Sequence, residues 1–140
     1  SAEDQEFQSL GWAREADEAD TLFQIAGLAA ARRQLVDVPA HAVTLEEVGD
    51  QATARVGAEA IGCASYSRDW LGLRSIEVDP DRRRNGLGLA VVAALLDWGA
   101  ERGATTSYLQ VHDDNQPAVR LYQVIGFTTH HAYRYLAPPR

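Results

Sequence analysis

Residues 83–88 read Arg-Arg-Asn-Gly-Leu-Gly and stand immediately before an apolar helical stripe. Such a stretch can hold an anion. Glycine at 86 and 88 lets the backbone come close to a ligand, the first turn of a helix leaves N–H groups without intrahelical partners, and the helix dipole adds partial positive charge. Arg82, Arg83 and Arg84 at its entrance add charge-assisted donors for phosphate oxygens. A diphosphate is the ligand these features favour together. A GxG turn also occurs for purely steric reasons, so the spacing around it has to discriminate. A dinucleotide fingerprint requires a third glycine at position 91, which is Val91; a Walker loop requires Lys before Ser or Thr, and the chain has no Lys. Neither a Rossmann dinucleotide nor a P-loop nucleotide is indicated. Cys63 is the single cysteine, with no CxxC or Cys/His spacing around it, so neither an internal disulfide nor a metal site is expected.

The elements around this turn follow from periodicity. A strand over residues 70–78 ends at Asp79-Pro80, and Leu87, Val91, Ala94, Leu95 and Trp98 then share one helix face before Gly103. Residues 105–112 read as a strand. Asn115 suits an N-cap with Pro117 in the first turn, and Ala118, Leu121, Tyr122 and Ile125 form the inward face of a second helix closed by Gly126. Residues 127–136 make a last strand. Upstream, residues 42–48, 53–66 (with a break near Gly57) and 70–78 read as three successive strands of an antiparallel meander. Residues 7–14 suggest a short strand, and residues 17–35, rich in alanine with Arg32 and Arg33 late, suggest a helix. A strand, helix, strand series with a crossover of that length implies a parallel pair inside a mixed sheet. The fold class is α+β, or mixed α/β.

With 140 residues, 46% hydrophobic, the chain suits one domain over 1–140 with one core. No apolar run approaches the roughly 18 residues needed to cross a bilayer, and the acidic start is not a secretory leader. Cytoplasmic residence is the default expectation. Ser1 either follows a removed initiator Met or opens a piece of a longer polypeptide. The net charge of −7 is concentrated at the start, where Glu3, Asp4, Glu6, Glu15, Asp17, Glu18 and Asp20 face Arg14 alone. A nucleic-acid partner needs the opposite balance over a face, so none is expected, and no membrane partner either. The acidic start is a solvated end, or a field that draws a cationic substrate.

The motif spacing resembles the GCN5-related N-acetyltransferases. Ile76-Glu77-Val78-Asp79-Pro80 matches their LxVxP strand, Arg83 with Gly86 and Gly88 their RxxGxG turn, Val111 the end of the next strand, and Asn115, Ala118, Leu121, Tyr122, Gly126 and Phe127 their NxxAxxLYxxxGF segment. The match spans residues 76–127 in order. Residues 70–128 form the expected acetyl-CoA-binding core, and residues 1–50 match poorly. The resemblance implies that the backbone of residues 83–89 (Arg83, Arg84, Asn85, Gly86, Leu87, Gly88, Leu89) cradles the CoA diphosphate. It also implies that Ile76 and Val78 hydrogen-bond the pantetheine arm between two splayed parallel strands, and that Asn115 and Ala118 line its other side.

It implies direct acetyl transfer from acetyl-CoA to a primary amine, on a small molecule or a peptide N-terminus, without a covalent enzyme intermediate. Tyr122 falls where the family keeps its general acid, with packing on the helix's apolar face as the competing role. A backbone N–H near Val78 is the implied oxyanion donor. The base departs from the pattern: the positions where members carry Glu or His are Gly72 and Gln110 here. His112 shares a strand face with Gln110 and is one candidate; Glu77 is another, alternating with Ile76 and Val78 and so expected toward the helix side. Ordered water, or an acceptor that arrives deprotonated, is the third. A second hypothesis is an inactive acyl-CoA sensor or regulatory domain, and a third is an interaction domain with a merely structural turn. Trp98 is expected in the core, Trp70 beside the acceptor pocket, Cys63 as a small buried hydrophobe, and His130 and His131 at the surface. A homodimer is common for such folds.

Overall fold

A computed structural model describes residues 20–38, 41–82 and 86–134. The chain runs β1 (Asp20–Gly27), α1 (Leu28–Gln34), β2 (Thr44–Val48), β3 (Gln51–Val56), β4 (Ala60–Ser67), β5 (Trp70–Val78), α2 (Leu87–Glu101), β6 (Thr106–His112), α3 (Gln116–Ile125) and β7 (Thr128–Arg134). The strands form one mixed sheet in the order β2-β3-β4-β5-β6-β1-β7. Strands β2 to β5 are the antiparallel meander, and β5 and β6 are the parallel pair across α2. The meander has four strands rather than three, because the break at Gly57 (φ +53°) is a full hairpin turn between β3 and β4.

The start of the chain differs from its sequence expectation. Residues 20–27 are strand, and among the described residues of the expected helix only Leu28–Gln34 is helical. β1 bonds on both sides, to β6 with Leu22, Gln24 and Ala26 opposite Val111, Leu109 and Ser107, and to β7 with Phe23 opposite His131. Two ladders outweigh the small helix preference of a short Ala-containing segment. The strand expected over residues 7–14 lies outside the described residues, as do Trp12, residues 17–19 and residues 135–136.

α2 lies across β3, β4 and β5, and α1 touches both α2 and α3, so the three helices share one sheet face. Val91, Val92, Leu95 and Leu96 are fully buried there with Leu71 and Leu109. Two glycines let α2 approach the sheet. A Cβ on Gly99 would lie 2.7 Å from Leu71 Cδ2, and one on Gly62 would lie 2.6 Å from both Ile76 Cδ1 and Val91 Cγ1. Trp98 is buried as expected; its indole N–H donates to Glu47 on β2, and Arg102 covers its ring at 4.6 Å. Arg102 also bonds Glu47 at 2.8 Å, and these two donors hold the Glu47 carboxyl below the usual carboxylate range. Cys63 is half-buried on β4, with its sulfur 3.8 Å from Thr53 Oγ1, rather than fully enclosed. The opposite sheet face carries Trp70, Tyr108, Gln110 and His112, and no described helix covers it.

Candidate active site

β5 and β6 pair at three rungs only: Trp70 with Thr106, Leu71 with Ser107, Gly72 with Tyr108. Beyond them β5 runs on to Val78 and β6 to His112 without a further rung between them. Ser75 holds φ +58°, and the β4–β5 register shifts between Ile61 and Cys63, so β5 is irregular where the strands part. The result is a V whose rims are backbone of residues 73–78 and 109–112. N–H and C=O groups turned into such a gap lack a strand partner and can serve an extended, amide-bearing ligand arm.

α2 begins at the wide end of this V. Gly86, its N-cap, has φ +77° and makes no side-chain capping bond, so the first-turn N–H groups are left without an internal acceptor from that residue. A Cβ on Gly88 would lie 3.4 Å from both Val78 Cγ2 and Leu121 Cδ2, so the helix start sits between the end of β5 and α3. Leu87 is buried and Leu89 half-buried. Arg83, Arg84 and Asn85 lie outside the described residues. Arg82 pairs with Glu59 at 3.3 Å. A helix start whose N-cap is a left-handed glycine with no capping side chain, and a backbone-lined gap beside it, fit a CoA-type ligand with its diphosphate on the helix and its arm in the gap.

α3 is placed as expected. Asn115 Oδ1 accepts the Ala118 N–H at 3.4 Å, and Gly126, at φ +108°, closes the helix on the Tyr122 and Gln123 carbonyls. Asn115 is exposed and Ala118 half-buried. The Tyr122 ring is 6% exposed and meets Phe127 edge-on at 5.7 Å. Burial pushes its phenol up to about 12. Among the described residues no hydrogen bond reaches the hydroxyl, and burial alone accounts for the shift. The ring is packed on the helix's apolar face, as one of the two roles weighed from the sequence required.

The base candidates stand on the other face. His112 ends β6, exposed, opposite Thr21. Glu77 is exposed and lies away from α2, not toward it as expected: Ile76 reaches toward Val91 and Val78 toward Gly88, so alternation turns the residue between them outward. Ile76 and Val78 thus seal the helix side of the V while their backbone edges it. Gly72 has a steric reason: a Cβ there would lie 2.7 Å from both Cζ and Oη of Tyr108. Sequence reading missed Tyr108. The alternation of Tyr108, Gln110 and His112 was visible, but the contact with a glycine 36 positions earlier was not.

Comparison with known proteins agrees with this geometry. Residues 15–136 match the family model described as "Probable histone acetyltransferase Rv0428c C-terminal". The full-length Mycobacterium tuberculosis protein of that name is 35% identical over 89 residues, 63% of this chain and 29% of that protein. The [ribosomal protein bS18]-alanine N-acetyltransferase of Escherichia coli K12 is 44% identical over 55 residues, 39% of this chain and 37% of that enzyme. A tandem GNAT protein from the clavulanic acid biosynthesis pathway superposes with a TM-score of 0.65 at 16% identity, covering 91% of this chain and 56% of that one. The chain belongs to the GCN5-related N-acetyltransferases, a family of acyltransferase enzymes, and within it to the Rv0428c C-terminal group. It spans about a third of the length of the curated relatives it matches.

Proposed function

We propose that this domain transfers an acetyl group from acetyl-CoA to a primary amine by direct attack in a ternary complex. The observation that carries this is the V between β5 and β6, opening at the glycine-capped start of α2. Backbone N–H groups of Gly86, Leu87, Gly88 and Leu89 hold the diphosphate, flanked by Arg83, Arg84 and Asn85. Main-chain groups of Ile76 and Val78 take the amides of the pantetheine arm, and Asn115 and Ala118 border its far side. Bound acetyl-CoA supplies the thioester and its thiolate leaving group. The N–H near Val78 steadies charge developing on the carbonyl oxygen. The Tyr122 hydroxyl, kept protonated by burial, gives a proton to the departing sulfur.

The amine approaches from the face opposite the helices, where His112 and Glu77 stand as acceptors for its proton directly or through water. Thiol release from acetyl-CoA across a panel of amines tests this. The expected result is amine-dependent turnover, slowed about ten-fold or more by Tyr122→Phe in a variant that still melts cooperatively. An undiminished rate in Tyr122→Phe removes its role, and CoA binding without turnover on any amine assigns the domain to acyl-CoA sensing instead.

A further inference from the structure

The roles above leave unused an open cup at the closed end of the V, on the sheet face away from the helices. Phe23 of β1, Trp70 of β5 and Tyr108 of β6, with Ser67 and Arg68 at the β4–β5 turn, line a cavity of about 460 Å³. Tyr108 is its centre, edge-on to Trp70 at 5.7 Å and 6.0 Å from Phe23 at an interplanar angle of 30°. Its ring lies over Gly72, at the last rung before β5 and β6 part. A group seated here is therefore one residue from the gap that admits the thioester arm.

Among the described residues Arg68 is the one charged side chain lining the cup, and no carboxylate lines it. The Arg68 backbone has φ +59°, a conformation that a two-residue hairpin turn ordinarily gives to Gly or Asn. An arginine held there at a conformational cost points to a use for its guanidinium.

We propose that the cup is the acceptor site and takes an α-amino acid with an aromatic side chain. This rests on the acetyltransferase function proposed above. The acceptor's ring packs among Phe23, Trp70 and Tyr108, its carboxylate pairs with Arg68, and its α-amine is turned toward the V. A polycation would meet Arg68 with no carboxylate among the described lining residues to offset it. The α-amine of a free amino acid is less basic than a lysine-type amine but more basic than that of its amide, so the preference for the free acid over the amide rests on the Arg68 guanidinium. In the reaction the amine lone pair forms the N–C bond to the thioester carbonyl carbon and the C–S bond breaks with its electron pair on sulfur. The amine's surplus proton leaves by way of His112, Glu77 or water to solvent, sulfur gains one from Tyr122, and the Tyr122 phenolate recovers one from solvent. The products are the N-acetyl amino acid and free CoA thiol, with no change of oxidation state.

The test compares initial rates of thiol release for L-phenylalanine and L-tryptophan, their primary amides, spermidine and a lysine-containing peptide. The expected kcat/KM for the free aromatic amino acids is ten-fold or more above that of the amides and of spermidine. Arg68→Asn, which suits the turn, is expected to melt no lower than wild type and to shrink the acid-over-amide ratio about ten-fold. Trp70→Ala is expected to raise KM for the aromatic acceptors. Preference for spermidine or the lysine peptide, or an unchanged ratio in Arg68→Asn, overturns the proposal and leaves acetyl transfer standing. No thiol release with any amine overturns it together with acetyl transfer, and saturable acetyl-CoA binding in that case assigns the domain to acyl-CoA sensing.

Discussion

Tyr122 carries a consequence that alkaline solution can read. Its phenol, pushed up to about 12 by burial, keeps its proton in the folded chain at pH values where an unfolded tyrosine, near 10, has lost it. The unfolded state then binds fewer protons than the folded one, so stability is fully present below about pH 10 and falls as pH climbs toward about 12. Urea unfolding at several pH values in this window should show a steeper alkaline loss for wild type than for Tyr122→Phe; equal losses would contradict the burial assigned to the phenol. Tyr122 was legible in the sequence because Asn115, Gly126 and Phe127 flank it in register and each has a local reason, a cap, a left-handed stop and a ring contact. Tyr108 was not, because an aromatic on the outward face of a strand looks like any solvent-facing residue until Gly72 is brought beneath it. Glu77 shows the same limit, since its direction depends on which face of β5 meets α2.

Helix α2 links the core to the helix start that faces the V. Its approach to the sheet depends on Gly99 lying against fully buried Leu71 and on Gly62 lying beneath Ile76 and Val91. Gly99→Ala would force Leu71 out of its place, and the expected destabilisation is about 1–3 kcal/mol, measured by denaturant unfolding. A variant as stable as wild type would mean that the helix can shift at little cost. α2 and α3 were readable because an apolar period, a cap and a stopping glycine are all local signals. β1 was not, because its conformation is decided by β6 and β7, about 80 and 100 residues downstream in the pairing register. The four-strand meander was nearly legible, with only the weight of Gly57 underestimated.

The sheet as a whole is closed by its earliest described strand. β1 lies between β6 and β7, so the two strands that flank α3 do not touch each other and are joined through it. Removing residues 1–27 leaves both edges unpaired and exposes the apolar faces of Leu109 and Val111. The expected outcome is a chain without a cooperative thermal transition, monitored by circular dichroism; a truncated chain that melts like the intact one would show that β1 is dispensable. The sheet divides the molecule into a face that carries the helices and a face that does not, and the proposed function places the ligand arm in the V between them and the acceptor on the open face. Calorimetric titration with acetyl-CoA tests that arrangement most directly. The intact protein should bind saturably, while Gly86→Glu, placing a carboxylate and a strained backbone at the start of α2, should lose that binding and keep its circular dichroism spectrum. Equal binding by the two proteins, or none by the intact one, would contradict it.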